Sequence, residues 1–258
     1  MNNLIKITFF VFLLSCGQDI TYENNIKEDL IFLADDKLEG RKTGTEGEKL
    51  AAKYISERFE KLNLSDKGTE NYYQDFYFGN NNNPHEEIEF NKESDNSQIH
   101  ARNVVGFLDN GGSNTVVIGA HYDHLGYGEE SSLYFGDEVL IHNGADDNAS
   151  GTSLLLDLAN RLATKELKSN YLFIAFSGEE MGLLGSNYFL KNPTVSKDEI
   201  NYMINMDMVG RLNEENKLSV SGVGSAKIFK QIVNSNNSNF NLVEFGSSST
   251  SSFGSSDH

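Results

Sequence analysis

The chain has almost no cysteine: of its 258 residues only Cys16 is one. An intrachain disulfide is therefore excluded, and so is a metal site built on thiolates. Basic residues are scarce as well. Lys and Arg number 21 against 38 Asp and Glu, a formal net charge of -17. A surface of that sign repels nucleic-acid phosphate, so no nucleic-acid partner is expected. Long apolar stretches are missing too: the run from Ile7 to Leu14 is too short to span a bilayer. No internal repeat and no linker divides the chain.

That short run follows Lys6 and fits the apolar centre of a secretory leader. Leu13-Leu14-Ser15-Cys16 resembles a bacterial lipobox, in which cleavage before Cys16 leaves a lipidated N-terminal cysteine. The plain alternative is a secretory signal in which Cys16 is incidental. The expected organisation is a lipoprotein signal peptide over 1–15, a tether over 16–25 and one domain over 26–258. The expected location is extracytoplasmic, in the periplasm or at the cell surface of a bacterium, with the lipid as the sole membrane contact. A ligand-type residue at the terminus, His258, is unusual because termini fray. The chain is therefore expected to be truncated after it.

The remainder alternates helical and strand-like patterns. Thr45 and Glu48 form a capping box, and Leu50, Ala51, Tyr54, Ile55, Phe59 and Leu62 recur at helical spacing, which predicts an amphipathic helix over 46–62. Further helices are expected over 26–33, 148–162, 180–190 and 226–233. Strand patterns cover 73–78, 86–90, 102–108, 115–120, 171–176, 200–206 and 218–221. The segments 115–120, 171–176 and 200–206 are apolar enough to read as buried. The polar segment 91–99 is expected to be exposed, and the long loop 124–143 to lie beside a site. The fold class is α/β: a single domain with a mixed, mostly parallel sheet and helices on both faces.

Metal-type side chains fall in five short motifs. These are His121-Tyr122-Asp123, Gly144-Ala145-Asp146-Asp147-Asn148-Ala149-Ser150-Gly151, Ser177-Gly178-Glu179-Glu180, Asn205-Met206-Asp207-Met208 and Ser256-Asp257-His258. Three of them follow strands, and in open α/β sheets functional groups gather beyond the carboxyl ends of the strands. Singly each is weak, since an Asp-Asp-Asn or a Glu pair ahead of a helix is ordinarily a cap. Together His121, Asp147, Glu180, Asp207 and His258 make a two-histidine, three-carboxylate set that suits two zinc ions. Glu179 is left beside them as a base, which completes what metal-assisted amide hydrolysis requires. His85 and His100 read as solvated, His142 as structural, and His124 as a residue that could line the site. Asp146 reads as an orienting or capping group.

These motifs, with Gly119-Ala120 before His121, Met181-Gly182-Leu183-Leu184-Gly185-Ser186 after Glu180, and Leu38-Glu39-Gly40-Arg41 upstream, resemble the co-catalytic di-zinc aminopeptidase family. Its relatives include bacterial leucyl aminopeptidases, glutamate carboxypeptidase, glutaminyl cyclase and the transferrin receptor. The resemblance implies a zinc-exopeptidase (phosphorylase/hydrolase-like) architecture and an aminopeptidase that removes N-terminal residues from peptides. In the implied site Asp147 bridges two zinc ions, His121 and Asp207 complete one, and Glu180 and His258 the other. Asp123 holds the His121 ring by its other nitrogen, and Glu179 is the general base. The acidic surface would attract the cationic amine of a peptide substrate, with salt screening beyond about 8–10 Å. Three rivals stay open. One is a glutaminyl-cyclase-like, single-zinc aminoacyltransferase. Another is a carboxypeptidase, for which Arg211 is a candidate grip on a substrate carboxylate. The last is a receptor without catalysis, which would lack ligands and base that are present here.

Overall fold

A computed structural model of the chain describes residues 22–79, 88–91, 97–128, 132–235, 240–244 and 256–257. The signal peptide over 1–15, Cys16, His85 and His258 lie outside the described residues. The helices are α1 (Tyr22–Leu33), α2 (Glu46–Lys61), α3 (Gly151–Ala163), α4 (Leu184–Lys191) and α5 (Lys227–Ser235). The strands are β1 (Ser65–Asp66), β2 (Tyr73–Gly79), β3 (Phe90–Asn91), β4 (Gln98–Leu108), β5 (Thr115–His121), β6 (Asn170–Phe176), β7 (Ile200–Asn205), β8 (Lys217–Val220) and β9 (Asn241–Glu244).

The main sheet runs β3-β2-β4-β6-β5-β7, with β1 also paired to β4, while β8 and β9 form a separate pair. It is mixed, as expected. Parallel pairing belongs to β6, β5 and β7. The β1–β4, β2–β3, β2–β4 and β4–β6 pairs are antiparallel, so "mostly parallel" describes the site-bearing strands and not the others. Short connections along β2, β3 and β4 allow only an antiparallel return, whereas β5, β6 and β7 are joined by helical crossovers.

Alternation along the strands sends side chains to two faces. Val104, Ile118, Phe173 and Ala175 pack with Leu33 of α1, Ile55 and Phe59 of α2, and Leu155 and Leu156 of α3. Val105, Val117, Leu172, Ile174 and Phe176 pack on the other face with Phe189 of α4. The helices therefore cover both faces, and each fully buried large side chain contributes roughly 1.5–3 kcal/mol.

Four expectations need correction. β7 was expected to be buried. It pairs only with β5 among the described residues, so Ile204 is 48 % exposed. The expected helix over 148–162 starts at Gly151, because Asp147 (φ -104°) and Asn148 (φ -133°) leave helical geometry. The expected helix over 180–190 starts at Leu184, after Gly182 (φ 108°) and Leu183 (φ 60°) turn the chain. His100 is not simply solvated: it lies 2.7 Å from Asp75 Oδ1 and stacks on Tyr77, since β4 begins at Gln98 inside the segment expected to be exposed.

The capping box at α2 is present and has a second use. Thr45 Oγ1 accepts from the Glu48 N–H at 3.4 Å. The Glu48 carboxylate accepts from the Gly44 N–H at 2.6 Å and from the Ser177 hydroxyl, directly after β6. Glu48 is fully buried, and burial above all, aided by Asp123, pushes its carboxyl up from 4.5 to about 8, against the pull of the bonds from Ser177 and Gly44. The folded chain thus holds this proton more tightly than the unfolded chain. The resulting stability is complete below pH 4.5 and is lost as the pH rises through about 8. Glu48→Gln mimics the protonated form and should gain in Tm over wild type as the pH is raised across that window. A difference in Tm that stays flat with pH would show that Glu48 is not held protonated.

Candidate metal centre

Because β5, β6 and β7 are parallel, their carboxyl ends lie side by side, with His121 opposite Phe176 and Gly119 opposite Asn205. The chain leaving each end carries the expected ligands. His121 Nε2 is 3.2 Å from Asp147 Oδ1 and 3.5 Å from Asp207 Oδ1. On the other side, His124 Nδ1 is 2.6 Å from Glu180 Oε1 and 4.0 Å from Asp147 Oδ2. Two groups of ligating atoms therefore exist, His121–Asp147–Asp207 and His124–Asp147–Glu180, and both could hold a metal ion. Asp147 is common to both and turns one oxygen toward each. Ligands at zinc-like bond lengths on a tetrahedral ion are about 3.3 Å apart, which the first group matches. The 2.6 Å separation of His124 from Glu180 is shorter and has the length of a charge-assisted hydrogen bond. In this geometry His124 orients Glu180.

The turn that carries Asp147 is pinned from several sides. The Asp147–Asn148 peptide is cis. Asn148 is fully buried; its Nδ2 donates to the Met206 carbonyl at 2.9 Å, and its Oδ1 accepts from the N–H groups of Gly151 at 3.0 Å and Met208 at 3.1 Å. One side chain thus caps α3 and ties the Asp147 turn to the residues flanking Asp207. Gly144, at φ 58°, must be glycine: a Cβ there would lie 2.4 Å from the Asp147 carbonyl oxygen and 2.6 Å from Arg41 Nη2. Asp146 acts as an orienting group, accepting from the Gly210 N–H at 2.9 Å, with Arg211 Nε at 3.4 Å.

Glu179 and Glu180 diverge from one turn, and Asp123 holds that turn. Its two carboxylate oxygens accept from the Glu179 N–H at 3.1 Å and the Glu180 N–H at 3.3 Å, and Thr43 Oγ1 donates to it at 2.9 Å. Its carboxylate also lies 3.7 Å from His121 Nδ1, with its own carbonyl oxygen nearer at 3.3 Å. Glu179 belongs to neither group of ligating atoms, and its Oε2 is 3.9 Å from His121 Nε2. Burial, then repulsion from Asp123, Asp257 and Glu180, pushes its carboxyl up to about 8 against the pull of His121. A nearby dication acts in the opposite direction. Burial would raise Asp147 as well, but the His121 hydrogen bond and the charges of His121, His124 and Arg41 more than offset it and leave Asp147 lowered. His121 is disfavoured as a cation by burial, yet Asp123, Asp147 and Asp207 raise it well above the ordinary range.

Ser256 also reaches the site. Its hydroxyl donates to Asp207 Oδ2 at 3.0 Å and accepts from Asn205 Nδ2 at 2.7 Å, and Asp257 is buried beside it. The residues immediately before His258 therefore dock at the end of β7. His142 lies outside both groups of ligating atoms, with its Nε2 3.1 Å from Ser132 Oγ.

A match to the Peptidase family M28 model covers residues 103–258. The chain belongs to peptidase family M28. Aminopeptidase YwaD of Bacillus subtilis is 35% identical over 126 residues, which are 47% of this chain and 27% of that protein. The chain thus spans less than a third of that relative. Among solved structures, a leucine aminopeptidase precursor from Bacteroides thetaiotaomicron aligns with TM-score 0.62 and 18% identity over 86% of this chain and 76% of that one. The glutaminyl cyclase of the same organism aligns with TM-score 0.62 and 18% identity over 86% and 75%. These two likenesses establish the zinc-exopeptidase fold, and both activities occur among the relatives.

In this member of family M28, sequence reasoning missed Asn148, Glu48 and Thr43 as supports, because each acts on residues far along the chain. The Gly40-Arg41 pair ahead of the α2 cap was the available signal for a further support. Asn148→Ala would orphan two buried backbone groups, the Met206 carbonyl and the Gly151 N–H, each costing about 1–3 kcal/mol, and a part-buried one on Met208 that water can reach. Urea denaturation should show a loss of about 2 kcal/mol or more. A loss under about 1 kcal/mol would mean that these bonds do not hold the turn.

Proposed function

We propose that the chain is a di-zinc aminopeptidase. The observation that carries this reading is the placement of Asp147, with one carboxylate oxygen toward each group of ligating atoms. In this assignment His121 and Asp207 complete one site, and Glu180 and His258 the other, with His124 orienting Glu180. Two zinc ions held there supply Lewis acidity, which lowers the pKa of water and polarises a carbonyl oxygen. Glu179 is the general base: it stands beside both groups without joining either, placed to take a proton from the attacking water and pass it to the leaving amine. Asp123 acts through others, fixing the Glu179–Glu180 turn and the His121 ring.

The charge around the site favours a peptide's N-terminal amine over its carboxylate. The guanidinium nearest the ligands, Arg41, is 1 % exposed and bonded to backbone carbonyls. Arg211 is paired with Asp146 at the surface. Neither is placed to grip a substrate carboxylate, which argues against a carboxypeptidase. Carboxylates on both sides of Asp147, Asp207 with His121 on one and Glu180 on the other, favour two ions over the single zinc of a glutaminyl cyclase.

Peptides with N-terminal Leu or Gln, analysed by mass spectrometry, separate the readings. The expected product is the peptide shortened by one residue, lost on adding a chelator. Cyclisation of N-terminal Gln without hydrolysis would contradict it. Glu179→Gln should keep its zinc and lose turnover by about 10²–10⁴; a near-normal rate would remove Glu179 from the role.

The proposed location is extracytoplasmic, by a lipid on Cys16, and the lipobox is its support. Among the described residues no helix is long and apolar enough to cross a membrane. Cys16→Ser should abolish lipid labelling and release the protein from membrane fractions. A wild-type protein that already partitions as soluble would contradict the anchor.

A further inference from the structure

The N-terminal segment before α2 holds a charged side chain that the reaction does not use. Arg41 is buried, and among the described residues its hydrogen bonds go to backbone carbonyls. Its Nε donates to the Tyr122 carbonyl at 2.7 Å, Nη1 to the carbonyls of Leu33 and of Asn143, the latter at 2.8 Å, and Nη2 to the Gly144 carbonyl at 3.1 Å. Tyr122 lies between His121 and Asp123. Asn143 and Gly144 lead into the Asp147 turn. One rigid, planar fork therefore spans the end of β5, the start of the Asp147 turn and the end of α1.

The backbone around Arg41 is shaped for this task. Glu39, Gly40 and Arg41 have φ of 48°, 68° and 51°, in the left-handed region. Non-glycine residues keep that conformation only where surrounding contacts over-determine it, and such residues cluster at functional sites. Gly40 passes so close to the site-bearing loop that a Cβ would lie 2.5 Å from the His142 carbonyl oxygen and 2.6 Å from that of Gly126. The Arg41 carbonyl accepts from the His124 N–H at 3.2 Å. Two residues on, the Thr43 hydroxyl donates to Asp123 at 2.9 Å. The segment thus touches the backbone or side chain of three residues in the His121–His124 motif and both residues that precede Ala145.

We propose that Arg41, with Thr43, forms a brace that positions the metal ligands, setting the separation between the His121 strand end and the Asp147 turn. Arg41 is a positioning residue. It touches neither ligand side chain and acts through the main chain that carries them. The proposal rests on the di-zinc reading and deepens it.

Arg41→Lys tests it, because lysine keeps the positive charge and loses the fork. Zinc affinity is read by competition with a chromophoric chelator, and ligand geometry by the visible absorption of the cobalt-substituted protein. Arg41→Lys should weaken zinc binding about 10–100-fold, the usual cost of removing a group that orients metal ligands, and should change the cobalt spectrum. Ile55→Ala, a cavity variant in the core of α2, serves as the control for general destabilisation and should leave both readouts at wild-type values. Wild-type affinity and spectrum in Arg41→Lys would overturn the brace, as would equal changes in Ile55→Ala. A wild-type protein that binds no zinc would overturn the di-zinc reading itself, and the brace with it. If Arg41→Lys does not fold, Thr43→Val carries the test. It removes only the bond to Asp123, and unchanged zinc affinity and spectrum in that variant would overturn the brace.

Discussion

The carboxylates of Asp123, Asp147, Glu179, Glu180, Asp207 and Asp257 converge where β5, β6 and β7 end, and their mutual repulsion is the constraint the surrounding structure answers. Two like charges about 4 Å apart repel by about 4 kcal/mol at an effective dielectric of 20. Such a cluster survives folding only with cations nearby and donors aimed at it. Arg41, His121 and His124 supply at most one positive charge each, fewer than the negative charges they face. The shortfall is what divalent cations would supply. Much of the nearby architecture holds this collection in place: Asp123 with donors from Thr43, Glu179 and Glu180, Asn148 with three hydrogen bonds, and the Arg41 fork.

Fold and chemistry share an origin in strand direction. Among the described residues of the main sheet only the parallel strands β5, β6 and β7 end together, and they deliver His121, Glu179 with Glu180, and Asp207. The antiparallel strands β1 to β4 extend the sheet and bury the apolar side chains of both faces. They carry no member of either group of ligating atoms. Glu48 and Arg41 tie the N-terminal segment around α2 to the parallel strands, the first through Ser177 after β6 and the second through Tyr122 after β5.

The ligand motifs were legible because each is short and sits at a boundary that side-chain periodicity marks. Most strands of the main sheet were legible for the same reason, and so was α2, from its cap and its apolar stripe, whereas the short β1 and β9 were not. What was not legible depends on contacts distant in sequence. Arg41 meets Tyr122 at a separation of 81 residues and Gly144 at 103, and Glu48 meets Ser177 at 129. No local pattern encodes those pairs. Asn148 resembled a cap, and it is one through Gly151, but its bonds to Met206 and Met208 come from the tertiary fold. The late start of α4 came from left-handed Leu183, a conformation that leucine does not advertise. The exposure of β7 came from its pairing with β5 alone among the described residues, which its apolar composition concealed.

The central claim is that one carboxylate, Asp147, is shared by two metal ions, and zinc content per chain in wild type and in Asp147→Asn tests it most directly. Asparagine keeps the shape and removes the charge placed between the two groups. Wild type should bind close to two zinc ions per chain, and Asp147→Asn should lose both together, with zinc per chain near zero. A variant that keeps one ion at wild-type affinity, or both, would contradict the account, because Asp147 would then serve a single site or none.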